Sequence, residues 1–161
     1  MMTVNTPQPP KSQQTSQTPS TETRYQRGLR ALADIDGEAG QKVIDALADI
    51  APDFARYLIE FPFGDIYTRP GLSLRDREIA TIAALGALGT ATPQLKVHIH
   101  AGLNVGLTRD EITETLMQMA VYAGFPAALN GLFAARDVFA SRDETARNIA
   151  TATPSQPQYK T

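Results

Sequence analysis

Four helix-start signals in close succession constrain this chain most. Ser73 stands before an Ala/Ile-rich run, with Asp76 three residues on, the arrangement of a side-chain N-cap. Thr92-Pro93 reads as a cap followed by proline at the first helical position, where the missing N–H costs nothing. Thr108 and Glu111 have the form of a capping box. Gly124 ends one helix and Pro126 opens the next. Between these points the apolar residues recur at helical spacing: Ile112, Leu116, Met119 and Ala120, then Leu129, Leu132, Ala135 and Phe139. Alternating β-branched runs are missing, so strands are not expected. Short connections favour antiparallel neighbours, and the pattern predicts an all-α domain.

Upstream, the spacing predicts a short helix over Tyr25–Leu32 and a second over Glu38–Ile50, with Val43, Ile44, Leu47 and Ile50 on one side. A third follows Pro52, from Asp53 to Glu60, and Pro62 is expected to disrupt it for want of an N–H. The aromatic stretch Phe63-Gly64-Asp65-Ile66-Tyr67 then leads to a turn at Arg69-Pro70-Gly71. The helix after Ser73 is expected to reach Leu88, and the one after Thr92 to end near Gly106. Gly28 reads as a close-packing position. Residues 3–23 are almost entirely small, polar and proline, which cannot bury enough apolar surface to offset their ordering entropy. The expected organisation is a disordered segment over 1–23, a helical domain over 24–146 and a flexible tail over 147–161.

Several function classes are excluded or disfavoured. The 161 residues contain no cysteine, so thiol redox chemistry is impossible. The formal charge is −2 and the basic residues are scattered, which gives no footprint for nucleic acid. No apolar run approaches a membrane span, and no signal peptide is visible; a cytoplasmic location is the expectation. The glycines follow no strand and form no phosphate-binding signature.

Acid/base chemistry remains open. His98 and His100 are the two histidines, about 200° apart around one helix, so they cannot easily serve one site. No metal-ligand spacing is present, and no metal is expected. His98 shares its helical row with Gln94, Ala101, Gly102 and Val105, whose small members leave room for a ligand. It reads either as a catalytic group or as a satisfied, partly buried histidine. His100 reads as structural or interfacial. Glu78 lies on the apolar row of Ile82 and Leu85 and needs a partner there. It could act as a base, orient His98, or pair with Arg75 or Arg77. Asp65 could pin its turn; Arg69 could grip a carboxylate or pair with Asp65. Tyr67 and Tyr122 offer hydroxyls or simple packing, while Arg75, Arg77 and Lys96 read equally as solvated charge.

Arg24-Tyr-x-x-Gly28, Phe63-Gly-Asp-Ile-Tyr-Thr-Arg-Pro-Gly71, Glu78, Leu95-Lys-x-His98, Gly106-Leu-Thr-Arg-Asp-Glu-Ile112 and Tyr122-Ala-Gly-Phe-Pro-Ala-Ala-x-Asn130 resemble the carboxymuconolactone decarboxylase family. The likeness covers about residues 24–140. It implies an alkylhydroperoxidase-like fold of about six or seven helices with antiparallel hairpins, no cofactor, and assembly as a homotrimer or homohexamer. Peroxidase relatives carry a Cys-x-x-Cys pair where Ala91 and Gln94 stand here, so their mechanism is closed to this chain. Phe63 and Tyr67 occupy places where the decarboxylase branch tends to carry tryptophan.

The reaction so implied is cofactor-free decarboxylation of a small carboxylated unsaturated lactone such as γ-carboxymuconolactone. His98 would donate the proton and Glu78 would set its tautomer or charge. Arg69 or Arg75 would bind a carboxylate, Tyr67 or Tyr122 would reach the lactone oxygen, and Phe63 and Phe125 would exclude water. An isomerase or another acid/base enzyme acting on a small lactone or enoyl acid would use the same groups. A non-catalytic oligomeric module is the remaining expectation.

Overall fold

The computed structural model describes residues 22–152. The expected disordered segment lies outside these residues except for its last two, and so does most of the expected tail. Among the described residues the chain is all-helical. In order run α1 (Arg24–Asp36), α2 (Glu38–Leu47), α3 (Pro52–Leu58), a π-helical segment (Ile59–Tyr67), α4 (Leu74–Leu88), α5 (Thr92–Asn104), α6 (Arg109–Ala123) and α7 (Phe125–Ala152). No helix among the described residues is long and apolar enough to cross a membrane.

The caps form as their side chains dictate. The Ser73 hydroxyl accepts from the Asp76 amide, and Thr108 and Glu111 close a reciprocal capping box. A further box, Thr23 with Gln26, starts α1 one residue before the expected Tyr25. Ala91 takes the N-cap place of α5, so Thr92 is already helical. At its other end α1 continues past Leu32 to Asp36, and Ile35 is fully buried. α2 stops at Leu47, before the expected Ile50. α7 runs on to Ala152, six residues beyond the expected edge of the domain.

Pro62 does not break its helix. The chain widens instead, and Pro62 lies inside a π-helical segment continuous with α3. A widened turn separates the pyrrolidine ring from the carbonyl it would strike in an α-helix. It also turns backbone carbonyls outward. The Gly64 carbonyl accepts from Arg27 Nε at 2.7 Å and from Thr68 Oγ1 at 2.6 Å.

Two apolar clusters organise the rest. Ile82, Leu95, Ile99, Leu107, Ile112, Leu116 and Val138 bind α4 through α7 together, and Ala31, Leu32, Ile35, Phe63 and Ala101 join α1, the π-helical segment and α5. α5 contributes to both, so side chains between its two apolar faces sit at the junction of the domain. α1 lies against the π-helical segment through glycine. A Cβ on Gly28 would stand 2.2 Å from the Ile59 carbonyl oxygen, and one on Gly64 would stand 2.6 Å from that of Arg24. Arg24 and Arg27 both reach Asp65 from α1, closing the contact with charge. Gly28→Ala should therefore push α1 away from the segment and cost about 1–3 kcal/mol, the usual range for overpacking. Chemical denaturation would show a lower midpoint; an unchanged midpoint would mean that the close approach is not needed.

Candidate active site

Glu78 projects from α4 into the interior and is fully buried. A carboxylate in that position needs a compensating donor. It finds one on α5, where His98 Nδ1 lies 2.9 Å from Glu78 Oε2. An ionised carboxylate can only accept, so Nδ1 carries the hydrogen and Nε2 is left for whatever lies in front of the ring. Among the described residues Glu78 Oε1 has no hydrogen-bond partner. Beside the pair, the Tyr67 hydroxyl is 3.0 Å from Thr81 Oγ1. Burial, and then the negative charge of Glu78, hold this phenol well above its usual range, so it stays a neutral hydroxyl.

His98 faces a cavity of about 330 Å³, within the range of small-molecule sites. Its walls are mostly apolar: Leu32 from α1, Val43 from α2, Leu58 from α3, Phe63 from the π-helical segment, and Pro93 and Val97 from α5. Its polar side chains are Asp36, Gln94 and His98, and no lysine or arginine lines it among the described residues. Asp36 closes α1, and its Oδ1 is buried without a partner. Burial pushes the Asp36 carboxyl up to about 6, the positive charge of His98 pulls it down less strongly, and Glu78 adds a smaller upward push. The cavity thus presents an imidazole braced from behind by a buried carboxylate, with a second carboxyl that takes a proton readily.

The model of the carboxymuconolactone decarboxylase family matches residues 52–137, just over half of the chain. A 4-carboxymuconolactone decarboxylase of Acinetobacter baylyi is 35% identical over 119 residues, which cover 73% of this chain and 88% of that protein. The chain belongs to the carboxymuconolactone decarboxylase family. An uncharacterized 15.0 kDa protein of Paracoccus denitrificans is also 35% identical, over 62% of this chain and 75% of its own length. A nitrosuccinic acid decarboxylase of Metarhizium robertsii is 28% identical over 67% of this chain and 76% of its own. The family match takes in Glu78 and His98 and begins after α1, so Asp36 lies outside it.

Of the residues that sequence reasoning singled out, the fold brings His98, Glu78, Tyr67 and Phe63 to the cavity or directly behind it. The others stand elsewhere in the protomer. Arg75 ion-pairs with Glu111 on α6, and Arg69 is exposed, its carbonyl accepting from Arg77 Nη2 at 2.9 Å. Tyr122 and Phe125 are 77% and 75% exposed around the α6–α7 junction, outside the cavity lining. Asp65 pairs with Arg24 and Arg27 rather than Arg69, and Lys96 with Asp137 at 2.8 Å. His100 Nδ1 accepts from Arg142 Nε at 3.2 Å, a structural role joining α5 to α7. Asp36 was missed. Preceding the glycine that ends α1, it has the local look of a turn residue, and only tertiary packing turns it inward.

A carboxyl raised above its unfolded value binds more protons when folded, so its ionisation costs stability. For Asp36 the cost is absent below its unfolded value near 4, grows as pH rises, and is complete above about 6. Asp36→Asn should thus be more stable than the parent at pH 8, by about 1–3 kcal/mol, with the advantage fading towards pH 4. Thermal or denaturant unfolding across that range would measure it, and a constant difference between the two proteins would refute it.

Proposed function

We propose that the protein is a cofactor-independent decarboxylase of a small carboxylated unsaturated lactone, with His98 as proton donor and Glu78 as the group that orients it. The observation that carries this reading is the His98–Glu78 pair, set with one ring nitrogen on a buried carboxylate and the other free for a largely apolar cavity. Family membership and the two decarboxylases among the relatives support it.

The chemistry suits such a site. In a γ-carboxylated unsaturated lactone, the bond to the carboxylate carbon breaks and its electron pair moves through the ring double bond onto the lactone carbonyl oxygen. CO2 leaves and a dienolate remains. The substrate is its own electron sink, so the protein has only to orient the ring, exclude water and deliver a proton. His98 Nε2–H supplies that proton to a ring carbon, the carbonyl re-forms, and the imidazole regains its proton from solvent. Glu78 holds Nδ1–H throughout and balances the charge of the imidazolium form. The neutral Tyr67 hydroxyl lies beside this pair, and Phe63 supplies apolar wall. An isomerase would use the same imidazole but release no CO2, which separates the two readings.

The test is CO2 release from γ-carboxymuconolactone by purified protein. His98→Gln is the informative variant, because truncation to alanine would strand a buried charge and cost about 3–5 kcal/mol of stability. Loss of the proton donor should lower kcat by about 10²–10⁴-fold with the fold intact. Turnover by His98→Gln at the parental rate would remove His98 from the mechanism.

Self-association belongs to the same proposal, as a homotrimer or homohexamer. Val121, Tyr122 and Phe125 form an apolar group, each at least 75% exposed. Sedimentation should give a mass several times that of one chain, and Val121→Asp should shift it toward the single chain. A parent protein that sediments as a monomer would refute this.

A further inference from the structure

We infer that Asp36 is the cavity's carboxylate-recognition group: as the neutral acid it donates its O–H to a carboxylate of the substrate, so the site selects small ring carboxylates with an apolar body. The inference deepens the decarboxylase reading by saying how the substrate's charge is met. An anion entering this cavity meets no lysine or arginine among the lining residues. The nearby arginines lie outside the lining: Arg75 pairs with Glu111, and Arg77 donates from Nη2 to the Arg69 carbonyl while its buried Nε has no partner among the described residues. Among the described residues, the titratable groups around Asp36 are His98 from α5, with Glu78 from α4 and Tyr67 from the π-helical segment behind it; Gly40, Val43 and Leu58, from α2 and α3, line the cavity without charge. The donors available to a carboxylate among the lining residues are therefore the Gln94 amide, the Asp36 hydroxyl and, in the imidazolium form, His98 Nε2–H.

Asp36 decides whether the anion is attracted or repelled. Ionised, it would oppose a second carboxylate across a low-dielectric space. Protonated, it forms a charge-assisted O–H···O⁻ bond, one of the stronger hydrogen bonds available to a side chain. Its Oδ1 is buried and has no partner among the described residues, so none of them competes for that atom. Burial already raises the carboxyl to about 6, and an anion bound beside it raises it further. Binding near neutral pH therefore takes up a proton, and affinity for carboxylates grows as the pH falls.

The test uses 2-furoate, a ring carboxylate that stays ionised from pH 5 to 8, and its uncharged counterpart 2-furamide, titrated calorimetrically into the full chain. The dissociation constant for furoate should rise at least about tenfold from pH 5 to pH 7.5, while that for furamide changes less than about twofold. In buffers of different ionisation enthalpy, furoate binding at pH 6.5 should take up a measurable fraction of a proton. Asp36→Asn should lose that uptake and most of the slope. No furoate binding at pH 5, no proton uptake by the parent, or an unchanged slope in Asp36→Asn would each overturn the inference. The two readings fail separately. Furoate binding that follows this pattern without CO2 release from the lactone removes the decarboxylase reading alone; CO2 release with an unaltered slope in Asp36→Asn removes this one alone.

Discussion

A fully buried carboxylate organises this molecule. Glu78 is shut off from bulk solvent, and its hydrogen-bond partner comes from another helix. α4 and α5 must therefore pack in the one rotation that brings His98 Nδ1 to Glu78 Oε2. The apolar rows on the same helices, Ile82 on α4 with Leu95 and Ile99 on α5, are buried in that rotation. Core packing and the polar pair agree, and neither could shift by a residue without loss of the other. The cost is one carboxylate oxygen left without a partner, which a fold built for stability alone would avoid. Of the unsatisfied buried atoms, the one on Asp36 belongs to a residue of the cavity wall, while the one on Glu78 lies behind His98.

The cavity exists because α1 is held close against the π-helical segment. Gly28 and Gly64 allow backbone to approach backbone, and the Arg24/Arg27–Asp65 cluster fastens the contact at its edge. These ion pairs are partly exposed and each contributes modestly. Their role is geometric. They fix the direction in which α1 leaves the segment, so that its far end places Leu32 and Asp36 on the cavity wall. At that end the Asn104 side chain donates to the Ile35 carbonyl at 2.9 Å, tying the last turn of α1 to α5. The acid and the imidazole are thus referenced to the same helix.

How much of this could be read from the sequence follows from the range of each interaction. Ser73 and Thr108 cap through bonds spanning three residues, so both helix starts were legible. The Thr23–Gln26 box has the same local form, and the polar stretch before it hid the signal. Pro62 carries a local prohibition against the α-helix, but not against a wider turn, so the break expected there became a bulge. Glu78 declared by its apolar row that it needed a partner. Which partner it took, His98 or a neighbouring arginine, depends on the rotation of α4 against α5, and no local pattern encodes that.

Asp36 shows where such reading stops. Its neighbours, Ile35 fully buried on one side and Gly37 in the left-handed region on the other, mark a helix end and nothing more. Its character comes from being desolvated by apolar residues of other elements, including Val43, Leu58 and Val97, and from sharing a cavity with an imidazole sixty-two positions away. An aspartate at a helix C-terminus is also unfavourable against the dipole. A chain optimised only to fold would put a lysine, asparagine or water-facing side chain there. An acid on the wall that also carries His98 makes sense if its proton is used, and an anionic substrate in a cavity with no lysine or arginine among its described lining residues gives that proton something to hold.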